Sequence, residues 1–135
     1  GGSGARAPEG MQEIGLNEFE SSVLPPGPWI SWHEDRYELP ADVEVLGTNA
    51  NAIQLFRKGR AVGTQFHPEA ELPLVSMWTH VGADHIPART TAEEIHQDLI
   101  ENHDALENNC RTLIDWFLAD VVASTPTDHN GSHDE

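Results

Sequence analysis

The segment that most restricts what this chain can fold into is a hairpin that runs straight into His67-Pro68-Glu69. Ala52 to Phe56 and Ala61 to Phe66 are both rich in apolar residues, and Arg57-Lys58-Gly59-Arg60 between them reads as the turn. Gly59 can take the positive φ that such turns often require. Pro68 has no N–H to give to a ladder and biases His67 toward an extended backbone, so the second arm ends with His67 near its C-terminal tip. In an extended segment residues i and i+2 point the same way. His67 and Glu69 can therefore share a face, where the carboxylate holds one ring nitrogen and leaves the other free to take a proton from a nucleophile. On residue types alone the same histidine also reads as a polar residue that merely ends a strand.

The rest of the chain reads as mixed α and β. Residues 1 to 10, rich in Gly, Ala and Pro, are expected to form a loop. Gln12 to Glu20 carries Ile14, Leu16 and Phe19 among polar residues and reads as a strand. Leu24-Pro25-Pro26-Gly27-Pro28 breaks regular structure, and Trp29 to His33 alternates as a short strand does. A turn over Leu39 to Asp42 leads into a strand from Val43 to Thr48. Beyond Pro73 the character of the sequence changes. Thr91 with Glu94 is a capping-box pair, and Ile95, Leu99, Leu106, Cys110, Leu113, Ile114, Phe117 and Leu118 keep a helical spacing. One or two helices are expected between Thr91 and Val122, interrupted near Asn102-His103. Residues 1 to 122 are read as part of one domain, and residues 123 to 135, polar with Pro126 and Gly131, as a disordered tail.

Charge narrows the function classes. The chain has 135 residues with 23 acidic and 7 basic side chains, for a formal charge of -16. Such a surface repels phosphate backbones, so neither nucleic acid nor an anionic membrane is an expected partner. No stretch approaches the roughly 20 apolar residues of a membrane span, and no basic start precedes an apolar run as in a secretory signal. A single cysteine cannot form an internal disulfide, which fits a reducing, cytoplasmic setting. The chain opens on Gly1-Gly2-Ser3-Gly4 without a methionine, as an internal cut through a longer protein would.

Gly63-x-Gln65-Phe66-His67-Pro68-Glu69 resembles the G-x-Q-F-H-P-E signature of class I glutamine amidotransferases. Three earlier stretches are similar to that family in the same order: Glu13-Ile14-Gly15-Leu16, then Ser31-Trp32-His33-Glu34-Asp35, then Leu39-Pro40-Ala41-Asp42-Val43-Glu44-Val45-Leu46-Gly47. The resemblance covers roughly residues 1 to 72. It implies an α/β fold, three-layered, doubly wound and flavodoxin-like, with a mostly parallel central sheet and here incomplete at its N-terminus. It further implies hydrolysis of glutamine to glutamate and ammonia by a Cys-His-Glu triad, with His67 and Glu69 as the catalytic members. Ser31, His33 and Asp35 would lie near the site, with His33 and Asp35 on a loop. Glutamine would be the substrate and a synthase domain or subunit, as in GMP-synthase-like enzymes, the acceptor of ammonia; no cofactor is implied.

The family's nucleophile belongs to a G-x-C-x-G turn, and this sequence has none. Cys110, its one cysteine, sits in Asn108-Asn109-Cys110-Arg111 without flanking glycines and reads as a small core residue of a helix. The chain alone is therefore expected to be inactive. A non-catalytic amidotransferase-like protein that binds a partner is the alternative. More remotely, His33, Asp35 and His67 have the ligand types of a two-His-one-carboxylate metal site.

Overall fold

The computed structural model describes residues 1–124. Eight strands come first: β1 (Ser3–Arg6), β2 (Glu13–Asn17), β3 (Glu20–Ser21), β4 (Trp29–His33), β5 (Asp35–Glu38), β6 (Glu44–Thr48), β7 (Ile53–Lys58) and β8 (Ala61–Thr64). Helices follow: α1 (Leu72–Val81), a short 3₁₀ turn (Ala83–His85), α2 (Ala92–Glu101) and α3 (His103–Trp116), which continues as a π-helical stretch over Phe117–Val122. The strands pair as β1-β5, β2-β4 and β3-β6-β7-β8. Every ladder among the described residues is antiparallel. The expected doubly wound sheet is mostly parallel, and the crossover units that such pairing needs are not among these residues.

The hairpin forms with a tighter turn than the apolar pattern suggests. Lys58 pairs with Ala61, so only Gly59 and Arg60 remain between the strands, with Gly59 at φ 60°. Arg57 and Lys58 belong to β7 because ladder pairing is made by the backbone and does not depend on side-chain polarity. Across the ladder Gly63 faces Phe56, whose ring fills the space a Cβ would need: a methyl there would come within 2.2 Å of Phe56 Cζ. That close approach accounts for the glycine in the signature.

β4 is the wall shared by two apolar clusters. Its Trp29 packs with Phe19, Leu24, Leu46, Leu55, Phe66 and Leu113, where the Trp29 and Phe66 rings lie 4.5 Å apart and those of Phe19 and Phe66 5.1 Å apart. Its neighbour Ile30 joins Ile14, Val75, Ile95 and Leu99 beneath α1 and α2. Period-two alternation thus sends successive residues of one strand to different cores.

Three expectations need correction. Residues 1 to 10 are not all loop, since Ser3–Arg6 pairs with Asp35–Glu38; both strands are largely solvent-exposed and therefore lack an apolar pattern. The strand expected from Gln12 to Glu20 is two strands, interrupted where the Phe19 N–H turns to donate to Pro26 O. The helical region, expected from about Thr91, begins earlier with α1, which follows directly on the signature. Its Pro73 sits in the first turn, where a missing N–H costs nothing, and its apolar residues surround the helix without a clear stripe.

The C-terminal helices match their start signal. Thr91 Oγ1 accepts from the Glu94 N–H at 3.2 Å while Glu94 Oε2 accepts from the Thr91 N–H at 2.8 Å. The helical region divides at Asn102, which ends α2 and begins α3. Arg60 donates to the Val122 carbonyl and Arg57 to Ser124 Oγ, tying the last helical turn to the hairpin. The tail assigned to residues 123 to 135 falls, from residue 125 on, outside the described residues. None of the described helices is long and apolar enough to cross a membrane.

Candidate active site

His67 leaves the hairpin just beyond β8. Gln65 N–H still donates to Gln54 O, and then the His67 N–H donates to Ile30 O at 2.8 Å, which fixes the backbone against β4. Pro68 and Glu69 turn the chain, closed by the Ala70 N–H on His67 O. The turn returns the Glu69 carboxylate to the imidazole, with Nδ1 and Oε1 2.8 Å apart. A carboxylate on Nδ1 places the ring proton there and leaves Nε2 as the basic atom. Among the described residues Nε2 has no hydrogen-bond partner. The pair is half-open to solvent, with side-chain exposures of 33% and 60%.

His67 and Glu69 stand at the lip of a cleft of about 780 Å³ that runs between this turn and the α2–α3 pair. Trp29, Ile30, Leu72, Leu99 and Leu106 supply apolar wall, while Glu71, His103, Asp104 and Glu107 bring charge. The hydrogen bond that His103 donates to Asp104 raises its imidazole above the ordinary value, and the Arg111 guanidinium holds Glu107 below its own. Such a cleft has an apolar interior and polar groups converging on one edge, the usual make-up of a small-molecule or docking site. Cys110 lines it as well, half-buried, and not as the core residue expected. The helical register differs by one residue: Asn109 is the buried position, its amide donating to Pro28 O at 3.0 Å.

The other site residues read from the sequence lie elsewhere. Ser31 is fully buried and its Oγ accepts from Asn17 Nδ2 at 2.7 Å across the β2-β4 ladder. His33 ends β4 and is 9% exposed, so it is not on a loop. Asp35 begins β5 and is exposed. Ser31 and His33 alternate with Ile30 and Trp32 along β4, so they face away from the side on which α1 packs. The structure brings His67 and Glu69 together and does not bring Ser31, His33 or Asp35 to them.

His33 belongs to a buried polar cluster that the sequence does not announce. Glu13 Oε2 accepts from His33 Nε2 at 2.8 Å and from Gln54 Nε2 at 2.6 Å, and Oε1 accepts from Asn49 Nδ2. His33 Nδ1 faces the Asp35 carbonyl at 2.9 Å. Both ring nitrogens are thus engaged by oxygen atoms of the protein. Burial alone would raise the Glu13 carboxyl, but the hydrogen bonds from His33, Asn49 and Gln54 outweigh it and hold it below the ordinary range. Both His33 nitrogens already have partners, and no group of three or more His, Cys, Asp or Glu among the described residues could hold a metal. The metal-site alternative through His33, Asp35 and His67 therefore has no geometry behind it.

No protein-family model and no curated protein matches the chain. Solved structures do. A glutamine amidotransferase from Thermotoga maritima superposes with a TM-score of 0.74 at 23% identity, over 88% of this chain and 56% of that one. A glutamine amido transferase from Methylobacillus flagellatus gives a TM-score of 0.71 at 17% identity, over 87% of this chain and 55% of that one. The α/β fold expected from the sequence resemblance is therefore borne out: this chain has the fold of glutamine amidotransferases, and it spans little more than half the length of the solved structures it matches.

Proposed function

We propose that this chain supplies the base half of a class I glutamine amidotransferase. The observation that carries the reading is the His67 Nδ1–Glu69 Oε1 contact of 2.8 Å at the lip of an apolar cleft, with no partner for Nε2 among the described residues. In this reading a cysteine from outside the sequence stands opposite Nε2. His67 takes the thiol proton as sulfur attacks the glutamine side-chain carbonyl, and passes it to nitrogen as the C–N bond breaks and ammonia leaves. Water then attacks the thioester, His67 again acting as base, and glutamate departs. Glu69 keeps the imidazole in the tautomer that this sequence of transfers needs. Ammonia passes to an acceptor in a synthase domain or subunit.

Cys110 is not given the nucleophile's role. It lies within α3, where helical backbone N–H groups are already bonded and cannot form the donor pair that an oxyanion requires. The test is intact-mass and N-terminal peptide analysis of the protein from its source, followed by ammonia release from glutamine. A longer product with a G-x-C-x-G segment, whose glutaminase activity falls about 10²- to 10⁴-fold on His67→Ala, supports the reading. A native product that starts near Gly1 and releases no ammonia with any co-purifying subunit refutes it, and leaves a non-catalytic partner-binding protein.

A further inference from the structure

One hydrogen bond is a weak anchor for a histidine that must present a single atom. Glu69 is 60% exposed, and a pair of that exposure competes with water for its geometry. The imidazole could therefore rotate about its last bond unless something holds its face. The Trp78 indole does so: the two ring centroids are 4.7 Å apart and their planes 57° from one another. Trp78 is itself backed by Trp32, at 5.8 Å and 50°. Trp32 lies on β4 two residues from Ile30, whose carbonyl receives the His67 backbone N–H. Residues two apart on a strand share a face. The His67 backbone and the His67 ring are thus fastened to the same stretch of β4, one directly and the other through Trp78.

We propose that Trp78 is a positioning residue for His67, its indole fixing the plane of the imidazole so that Nδ1 stays on Glu69 and Nε2 stays aimed outward. The functional half of this inference rests on the amidotransferase reading above, while the structural half does not. Trp78 does not line the cleft beside His67 and acts through the imidazole alone. α1 begins at Leu72, directly after the signature turn, and this short link sets the indole over the ring. The helix itself is closed at its far end by the Gly82 N–H on the Trp78 carbonyl at 2.7 Å. Misplacing a catalytic group by about 1 Å can cost about 100-fold in rate, so a support of this kind affects turnover more than binding.

Two measurements decide it, each with Trp78→Phe, Trp78→Leu and the exposed neighbour Met77→Ala as control. The first is NMR of the His67 ring in the 135-residue chain. In wild type an indole at this distance shields the imidazole protons. Trp78→Leu is expected to remove that shielding and to loosen the Nδ1 hydrogen bond to Glu69, while Met77→Ala changes neither. Trp78→Phe is expected to keep part of both, and becomes the deciding variant if Trp78→Leu does not fold. His67 ring signals that are the same in a folded Trp78 variant as in wild type overturn the proposal, whether or not the protein is a glutaminase. The second is glutaminase kinetics on the ammonia-releasing form. The expected result is a fall in kcat of about tenfold or more for Trp78→Leu, with KM within about twofold and most of the rate restored in Trp78→Phe. A change confined to KM overturns the proposal. Absence of ammonia release in wild type counts against the amidotransferase reading and leaves the NMR result to judge the ring support.

Discussion

Removing the Glu13 carboxylate tests whether the buried polar cluster organises the β2-β4-β7 region. Glu13 is 6% exposed, and it accepts from His33, Gln54 and Asn49 side chains contributed by three separate parts of the chain. Glu13→Ala leaves those donors without an acceptor. Gln54 is fully buried and His33 nearly so, which prevents water from replacing the carboxylate at either. Hydrogen bonds to a charged group contribute about 1.5–3 kcal/mol each. They do not add here, because three donors share two oxygens and Asn49 can turn toward solvent. Loss of one partner from a buried charged pair costs about 3–5 kcal/mol, and the whole substitution is expected to fall in that range. Against a total stability of about 5–15 kcal/mol for a domain of this size, most of the margin would go.

Glu13→Gln separates charge from shape. The amide has nearly the volume of the carboxylate, yet its NH₂ confronts a donor whichever way it is turned. It should therefore cost most of what Glu13→Ala costs. The assay is urea unfolding at neutral pH followed by far-UV circular dichroism, comparing midpoints at constant slope. A double-mutant cycle with His33→Phe then isolates the pair. If both Glu13 variants lose less than about 1 kcal/mol with an unchanged slope, the cluster does not organise this part of the fold and the argument fails.

Other outcomes follow from the same geometry. Because Glu13 holds its proton less tightly in the folded chain than in the unfolded one, its contribution is present above pH 4.5 and is lost as pH falls through the lowered folded value; an acid titration of wild type and Glu13→Gln should differ in that window. Tyr37, the one tyrosine, is pushed up to about 12 by burial against Phe56, so its stabilisation is complete below pH 10.0 and disappears as pH rises toward the folded value. Tyrosinate absorbance rising near pH 10 in the folded chain would contradict that burial. Gly63→Ala must displace the Phe56 ring from its seat and should cost about 1–3 kcal/mol in thermal unfolding, with Tyr37 ionising earlier as its cover moves. Cys110→Ser, at a half-buried position without an elbow, should leave any ammonia release unchanged; loss of activity would reinstate this cysteine as the nucleophile.

What could be read from the sequence divides by the range of the interaction. His67 and Glu69 lie two residues apart across a proline, so residue chemistry and backbone geometry suffice to bring them together, and they do meet. The capping box at Thr91 and Glu94 is equally local and equally legible. β1 and β5 leave no such mark, because their pairing joins distant parts of the chain and both strands are exposed, so neither carries an apolar alternation. α1 is obscured for the opposite reason, since Leu72, Met77 and Val81 are apolar yet exposed and blur the stripe made by Val75 and Thr79.

The same division runs through the candidate site. Ser31 and His33 occupy their expected places in the order of motifs, but strand alternation, invisible in a motif match, turns them toward the Glu13 cluster and away from α1. Trp78 reads in sequence as one more aromatic residue of an apolar run. Its position over the imidazole depends on where α1 starts, on a proline that permits that start, and on the Trp32 ring behind it. A short signature can encode the His67–Glu69 pair because the pair is made by the backbone it occupies. The support for that pair is made by tertiary packing, and packing is read from contacts across the fold. The residues that would govern how well His67 works are therefore those that no local pattern distinguishes from core.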